Sequence, residues 1–183
     1  MSRAELTARP PLERVQASEK PLERLMLIIP GFRGYKLREQ RREADRIVTD
    51  YVYRALEHSR DDLMVCLQAL TDAKASELLE PMNRIMAKLD TVAEKINRAS
   101  YGYSGFFDAI KVEEPELDNM LAHDGQLMDL VRRINNATAA FKTDLTQGKL
   151  ENARTTQQSL DMEIDTLDSA FDQRKAIIEG VKV

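Results

Sequence analysis

Cysteine and tryptophan are nearly missing from this chain of 183 residues, which contains one Cys and no Trp. The single thiol, Cys66, cannot form an intramolecular disulfide or a cysteine-based zinc cluster, so the sequence fits a reducing compartment. Seven Gly and six Pro are too few for a strand-rich fold with many turns. The longest apolar run, 25–29, is far shorter than the roughly 20 residues that span a bilayer. We therefore predict neither a membrane-spanning helix nor a secretory signal.

The formal net charge is small, −4, but the positive and negative residues are unevenly distributed along the chain. Residues 1–43 carry ten Lys or Arg against six Asp or Glu, and the rest of the chain carries 17 against 25. A nucleic-acid-binding protein usually has a denser basic patch than this front segment has. Nucleic acid is therefore a disfavoured partner, whereas a mildly basic front could contact an anionic surface.

Apolar residues recur three and four positions apart in four long stretches, the pattern of helices that bury one side. The predicted helices run from 37 to about 72, from 76 to about 99, from Pro115 to the residues before Gly148, and from 150 to 181. Pro115 suits a first helical turn and Gly148 suits the C′ position. Ser76 as N-cap places Pro81 in the second turn, so the second helix could instead begin near Glu80.

Short connections predict that consecutive helices run antiparallel. We expect an all-α fold: a long antiparallel four-helix bundle of two helical hairpins, with a short extra helix that begins at Pro21. An extended coiled-coil rod is the alternative, but the apolar stripes of the first three helices are wider than a two-residue seam. Residues 20–183 are predicted to form this single domain, and residues 1–19 a flexible tail.

The last helix has a heptad seam, typical of a coiled coil, that is interrupted by Gln157 and Arg174. Polar residues in a seam indicate that this face is exposed or that it pairs with another subunit. A homo-oligomer is therefore one possible assembly.

Two glycine-aromatic segments, 30–35 and 101–108, separate the helices and contain six of the ten Phe and Tyr residues. If the first long helix leads away from Tyr35 and the second returns to Ser100, both segments lie at the same end of the bundle. Their rings are expected either to plug the bundle as a small satellite core or to form a docking surface for a partner. The candidate partner-binding residues are Phe32, Arg33, Tyr35, Arg38, Arg42, Tyr101, Tyr103, Phe106 and Phe107.

Two neighbouring features suggest other partners. Arg38, Arg42 and Arg46 are four apart and share a helix face, which could receive phosphate, anionic lipid or an acidic partner. The plainer interpretation is a solvated face whose charges are balanced by acidic neighbours such as Asp45. The segment from Leu22 to Phe32 could lie on a membrane surface, or it could pack against the bundle as the short extra helix.

The sequence contains few candidates for catalysis or for binding a metal or a nucleotide. The only histidines, His58 and His123, lack the Glu-x-x-His pairing of a helical di-iron site, and 31–36 lacks the Gly-Lys-Ser/Thr ending of a phosphate loop. Cys66 lies on an apolar stripe and is expected in the core. No catalytic residue, metal or cofactor is therefore predicted.

The segments 29–36, 41–46 and 99–108 resemble the hallmark segments of an uncharacterised family of small prokaryotic helical proteins, with sequences of the type IPG(F/Y)RGYK and ASYGYSGFFD. The resemblance covers roughly residues 29–130. It implies a prokaryotic cytosolic protein and carries over no activity and no catalytic residue.

The leading hypothesis is a non-enzymatic interaction or scaffold protein that docks a protein partner through its glycine-aromatic end. The expected location is cytoplasmic, with peripheral contact with the inner membrane as a variant. The alternatives are a peripheral membrane-associated helical protein and a ligand-binding bundle with an end pocket, where Arg38 or Arg42 and Tyr103 would converge.

Overall fold

A computed structural model describes residues 21–34, 41–102 and 114–178, with the backbone alone at 41–42, 100–102, 114–117, 175 and 178. These residues form five helices and no strand, which confirms the all-α class for the part of the chain described. The helices are α1 (Pro21–Ile28), α2 (Arg41–Asp72), α3 (Ser76–Gly102), α4 (Glu114–Thr146) and α5 (Leu150–Ile178).

Proline and glycine mark several helix ends as the sequence predicts. Pro21 opens α1 and Pro115 lies in the first turn of α4. Gly148 follows α4 with φ +69°, and the Lys149 N–H donates to the Asp144 carbonyl at 2.8 Å. This left-handed residue with a six-to-one hydrogen bond is the glycine C-cap expected at that position.

One predicted boundary of α3 needs correction. The helix begins at Ser76, as predicted, and not at the alternative start near Glu80, but it continues through Tyr101 and Gly102, where a break was expected. The turn between α2 and α3 uses Lys74 with φ +54° in place of glycine. Residues 37–40, assigned to the first long helix by the sequence, lie outside the described residues.

Pro81 lies inside α3, next to a hydrogen bond from α5. Because proline has no N–H, the Glu77 carbonyl four residues earlier receives no helical hydrogen bond from Pro81. The Gln157 side-chain amide donates to the neighbouring Leu78 carbonyl at 2.8 Å, and Gln157 is only 3% exposed. A buried polar residue on α5 is thus hydrogen-bonded to the α3 backbone beside the proline.

The helices contact each other in the pairs α2–α3, α4–α5, α2–α4, α3–α5 and α1–α4. Residue numbers run in opposite directions across α4–α5, where Arg133 pairs with Glu163 at 3.1 Å and His123 contacts Ala170. Residue numbers run in the same direction across α3–α5, where two lysines each form ion pairs with two aspartates. These pairs are Lys88 with Asp161 and Asp165, and Lys95 with Asp168 and Asp172, at 2.5–2.8 Å.

The core runs along the centre of these contacts. On α5 the seam residues from Ala153 to Phe171 are buried as predicted, whereas Leu150 is 54% exposed. On α3 the core residue near the start is Leu78 and not Leu79, and on α2 Leu56 is fully buried although the predicted stripe passed over it. Cys66 is buried in the core, as predicted.

Helix α1 lies against α4. Leu25, Ile29 and Phe32 are 0–2% exposed, while Met26 and Leu27 point outward at 52% and 45%. Most of the apolar side chains of the segment 22–32 are therefore used in packing within the chain. No helix within the described residues is both long and apolar enough to span a membrane.

Candidate functional site

The helix ends that border the two glycine-aromatic segments lie at one end of the described molecule. The turn at 73–75 joins the end of α2 to the start of α3, and Arg60 Nε donates to Asp90 Oδ1 at 2.6 Å further along both helices, so the two helices are antiparallel and the start of α2 lies toward the end of α3. On the other side, α4 and α5 are antiparallel and α4 runs parallel to α2, where Ser59 contacts Asn135 at 2.5 Å and Lys142 contacts Asp62 at 2.6 Å. The start of α4 and the end of α5 therefore join the same end.

One arginine ties three helices together at this end. Arg174 of α5 donates from Nη1 to Asp45 Oδ1 of α2 at 2.6 Å and from Nε to Asp124 Oδ1 of α4 at 2.7 Å. The three side chains are 1%, 4% and 0% exposed. We call these three residues the Arg174 cluster. Because buried charges are costly unless paired, each member holds the others in place.

Burial raises the pKa of Asp45 above its ordinary value, because an ionised carboxylate loses its hydration in the interior. The positive charge and hydrogen bonds of Arg174 oppose this rise, and the negative charge of Asp124 adds to it. Asp45 is thus a carboxylate whose ionised form depends on its arginine partner.

Two further polar groups fix the surroundings of the cluster. His123 Nε2 lies 2.7 Å from the Ala170 carbonyl, and because a carbonyl oxygen can only accept, we assign the ring hydrogen to Nε2. Thr49 Oγ1 donates to the backbone carbonyl of Asp45 at 2.7 Å. Together they add a second α4–α5 tether and a second constraint on the turn that carries Asp45.

The chemistry of the Arg174 cluster is that of a cross-link. A guanidinium keeps its proton throughout the pH range of folded proteins, and here it binds carboxylates on two other helices. The cluster therefore fixes the positions of α2, α4 and α5 relative to one another, toward the end of the described molecule at which α2 and α4 begin.

Two sequence-based interpretations of these residues are wrong. Gln157 and Arg174 were expected to mark an exposed face or a subunit contact, but both are buried within the chain and hydrogen-bonded. Asp45 was expected on a solvated face, but it is 3% exposed. The sequence does contain a signal for the cluster, because each of its charged residues interrupts an apolar stripe: Asp45 near the start of α2, Asp124 in the first half of α4 and Arg174 near the end of α5.

The predicted partner-binding residues fall mostly outside the described part of the chain. Phe32 is buried at 2% and Arg33 is exposed. The structure does not describe the remaining side chains of this set, namely Tyr35, Arg38, Arg42, Tyr101, Tyr103, Phe106 and Phe107. The proposed convergence of Arg38 or Arg42 with Tyr103 lies outside the described residues as well. Burial of Phe32 agrees with the role of a structural plug for that one ring.

Other candidate groups have ordinary surroundings. Among the described residues, no group of three or more His, Cys, Asp or Glu side chains could hold a metal ion. Burial raises the pKa of the Cys66 thiol, which disfavours a reactive thiolate. Arg46 is an exposed side chain that lies 3.6 Å from Asp50, four residues along α2. This pair has the geometry of a solvated helix surface.

Comparisons of the chain with protein-family models, with curated proteins and with solved structures found no match.

Proposed function

We propose that this chain is a non-enzymatic interaction or scaffold protein that docks a protein partner through its glycine-aromatic end. In this proposal α2–α3 and α4–α5 are two antiparallel hairpins that form one long four-helix bundle, with α1 as an extra helix. The five contacting helix pairs agree with such a bundle. The bundle acts as a rigid spacer and holds the docking end in one geometry.

The observation that carries the proposal is the Arg174 cluster. Helices α2 and α4, which follow the two glycine-aromatic segments in the chain, are cross-linked through α5 by buried bonds of 2.6 and 2.7 Å. A surface whose supports are fixed before binding loses less conformational entropy when a partner docks. Replacing a buried ionic cluster by apolar residues is often neutral or stabilising, so its presence here favours a role in geometry over a role in stability.

The membrane alternative has one observation in its favour, the exposure of Met26 and Leu27 on α1. The same helix buries Leu25 and Ile29 against the protein, which leaves little apolar surface for insertion into lipid. Flotation with anionic liposomes at low salt tests this second candidate, because electrostatic attraction to lipid is strongest there. Absence of co-migration would remove it.

The test of the leading proposal is affinity capture from the native host with a Tyr103→Ser/Phe107→Ser variant. We expect the variant to lose a co-purifying protein that the wild type retains, while circular dichroism and thermal melting show an intact helical fold. Met162→Ser is the control, because it removes an exposed apolar side chain elsewhere, on α5, where Met162 is 63% exposed. Equal capture by all three proteins, or unfolding of the double variant, would contradict a docking role for these rings.

A further inference from the structure

Helix α4 has a second buried stripe besides the one that faces the core. The core-facing residues are spaced by heptads and are fully or nearly fully buried: Met120, Leu127, Ile134 and Phe141. Leu121, Gly125 and Met128 lie on another side of the helix, four and three positions apart, and are also buried. We call these three residues the second stripe. It does not continue along α4, because Ala139 further along that side is exposed.

The second stripe is covered by α1. It spans the eight positions 121–128, and α1 has eight residues and contacts α4. Arg24 of α1 pairs with Asp129, one residue beyond the stripe, and on the same segment Leu25 and Ile29 are buried. Helix α1 thus occupies a groove on α4 as an amphipathic helix would, with aliphatic anchors four residues apart and an arginine next to the first.

The fit of α1 in this groove is incomplete. Arg24 Nε is buried without a hydrogen-bond partner, which is an unfavourable state for a polar donor. A Cβ built on the buried Gly125 would meet no heavy atom within 4 Å, so the packing over this residue is not tight. Asp129 also pairs with Arg132 at 3.0 Å, and it would therefore keep a cationic partner if α1 left.

Helix α1 is also short. A helix of eight residues is marginal in water on its own, so the helicity of α1 depends on the groove that it fills. Segments of this kind open locally at low free-energy cost while the rest of the fold stays intact.

We infer that the groove formed by the second stripe and Asp129 is a docking site for an amphipathic helix of a partner protein, with α1 as its intramolecular occupant. The matching helix carries an arginine, an aliphatic residue directly after it and a second aliphatic residue four positions later. Asp129 recognises the arginine, and the second stripe receives the aliphatic pair. The residues of this site on α4 are not among the candidate partner-binding residues predicted from the sequence.

The test uses the full chain with Leu25→Asp/Ile29→Asp, which frees the groove, and a fluorescent peptide of residues 21–32 as the probe. We expect saturable binding of the peptide at least ten times tighter to this variant than to the wild type, whose own α1 competes. Adding Asp129→Arg should weaken binding at least tenfold, and a peptide with Arg24→Asp should restore it. No saturable binding to the folded variant, or no effect of Asp129→Arg, would overturn the inference.

If the double variant does not fold, hydrogen exchange of the wild-type protein tests whether α1 leaves its site on α4. The Ile29 amide, which donates to the Leu25 carbonyl at 2.8 Å, should exchange at least ten times faster than the amides of Ile134 and Phe141 in α4. Excess peptide should accelerate it further by displacing α1. Protection of Ile29 equal to that of the α4 core would show that α1 does not leave the groove and would refute the inference.

Discussion

Removing the arginine of the buried cluster is the sharpest test of how this end of the molecule is held. In an Arg174→Met variant, the carboxylates of Asp45 and Asp124 would remain in an interior where they are 4% and 0% exposed. Breaking a buried ion pair by removing one partner typically costs about 3–5 kcal/mol of unfolding free energy. Because whole domains have only about 5–15 kcal/mol, the variant should be close to unfolding at neutral pH.

The loss has a pH dependence with a defined sign. Burial raises the pKa of Asp45, and without Arg174 it loses the positive charge that opposes this rise, so the native state binds a proton at Asp45 more tightly than the unfolded state does. The unfolding free energy of the variant should then rise as the pH falls, and the gap to the wild type should narrow below about pH 5.

Urea unfolding at several pH values measures this effect, provided that the m-values of the proteins agree. Arg84→Met is the matched control, because Arg84 pairs with Glu80 at 3.4 Å on the surface and should cost less than about 1 kcal/mol. A triple variant with Arg174→Met, Asp45→Leu and Asp124→Leu should recover most of the loss. An Arg174→Met variant within about 1 kcal/mol of the wild type would refute the argument that these charges depend on one another.

Three further predictions concern the free energy of unfolding. Asp45→Asn should flatten the pH dependence of stability in the mildly acidic range, because burial raises the pKa of Asp45. The wild-type carboxyl group binds its proton more tightly in the folded state, so its contribution to stability falls as the pH rises. Urea unfolding of the wild type and of the variant at several pH values measures the difference. Gly125→Ala should raise the unfolding free energy by about 0.5–1 kcal/mol, since alanine favours the helix and its Cβ meets nothing within 4 Å; a lower melting temperature would contradict this. Lys74→Gly should stabilise the protein by about 1 kcal/mol, because Lys74 has φ +54°. The opposite kind of change, Gly148→Lys, should destabilise it by a similar amount, because Gly148 has φ +69°. Equal melting temperatures for the two variants would contradict this argument from backbone strain.

Helix number and most helix ends were predictable because their signals are local. Periodic apolar residues, Pro21, Pro115 and Gly148 act within one turn of where they stand. The continuation of α3 through Tyr101 and Gly102 was not predictable in the same way, since glycine only weakens a helix by about 1 kcal/mol and tertiary contacts decide whether it ends there. Lys74 was missed for the related reason that any residue can take a left-handed conformation at a cost of about 1–2 kcal/mol.

The buried polar contacts required knowledge of the partners. Arg174 alone in a seam indicates either exposure or burial with a counter-charge, and the sequence of one helix does not distinguish the two. Asp45 and Asp124 lie 129 and 50 residues away from it in the chain. Only the packing of three helices brings them within 2.7 Å, so the correct interpretation depends on the tertiary arrangement.

The two polar interruptions of the α5 seam fix its register at both ends. A slip of α5 by one turn would move it by about 5.4 Å, which would separate Arg174 from the Asp45 and Asp124 carboxylates that it now reaches at 2.6 and 2.7 Å. At the other end, the same slip would separate Gln157 from the Leu78 carbonyl, which it now reaches at 2.8 Å. Aliphatic seam residues tolerate such a shift much better, because one heptad position resembles the next. These two contacts are about 25 Å apart along the helix. They therefore define the axial position of α5 relative to α2 and α4. The relative positions of α2, α4 and α5 at this end are therefore set by hydrogen-bond geometry, which a uniformly apolar seam would not provide.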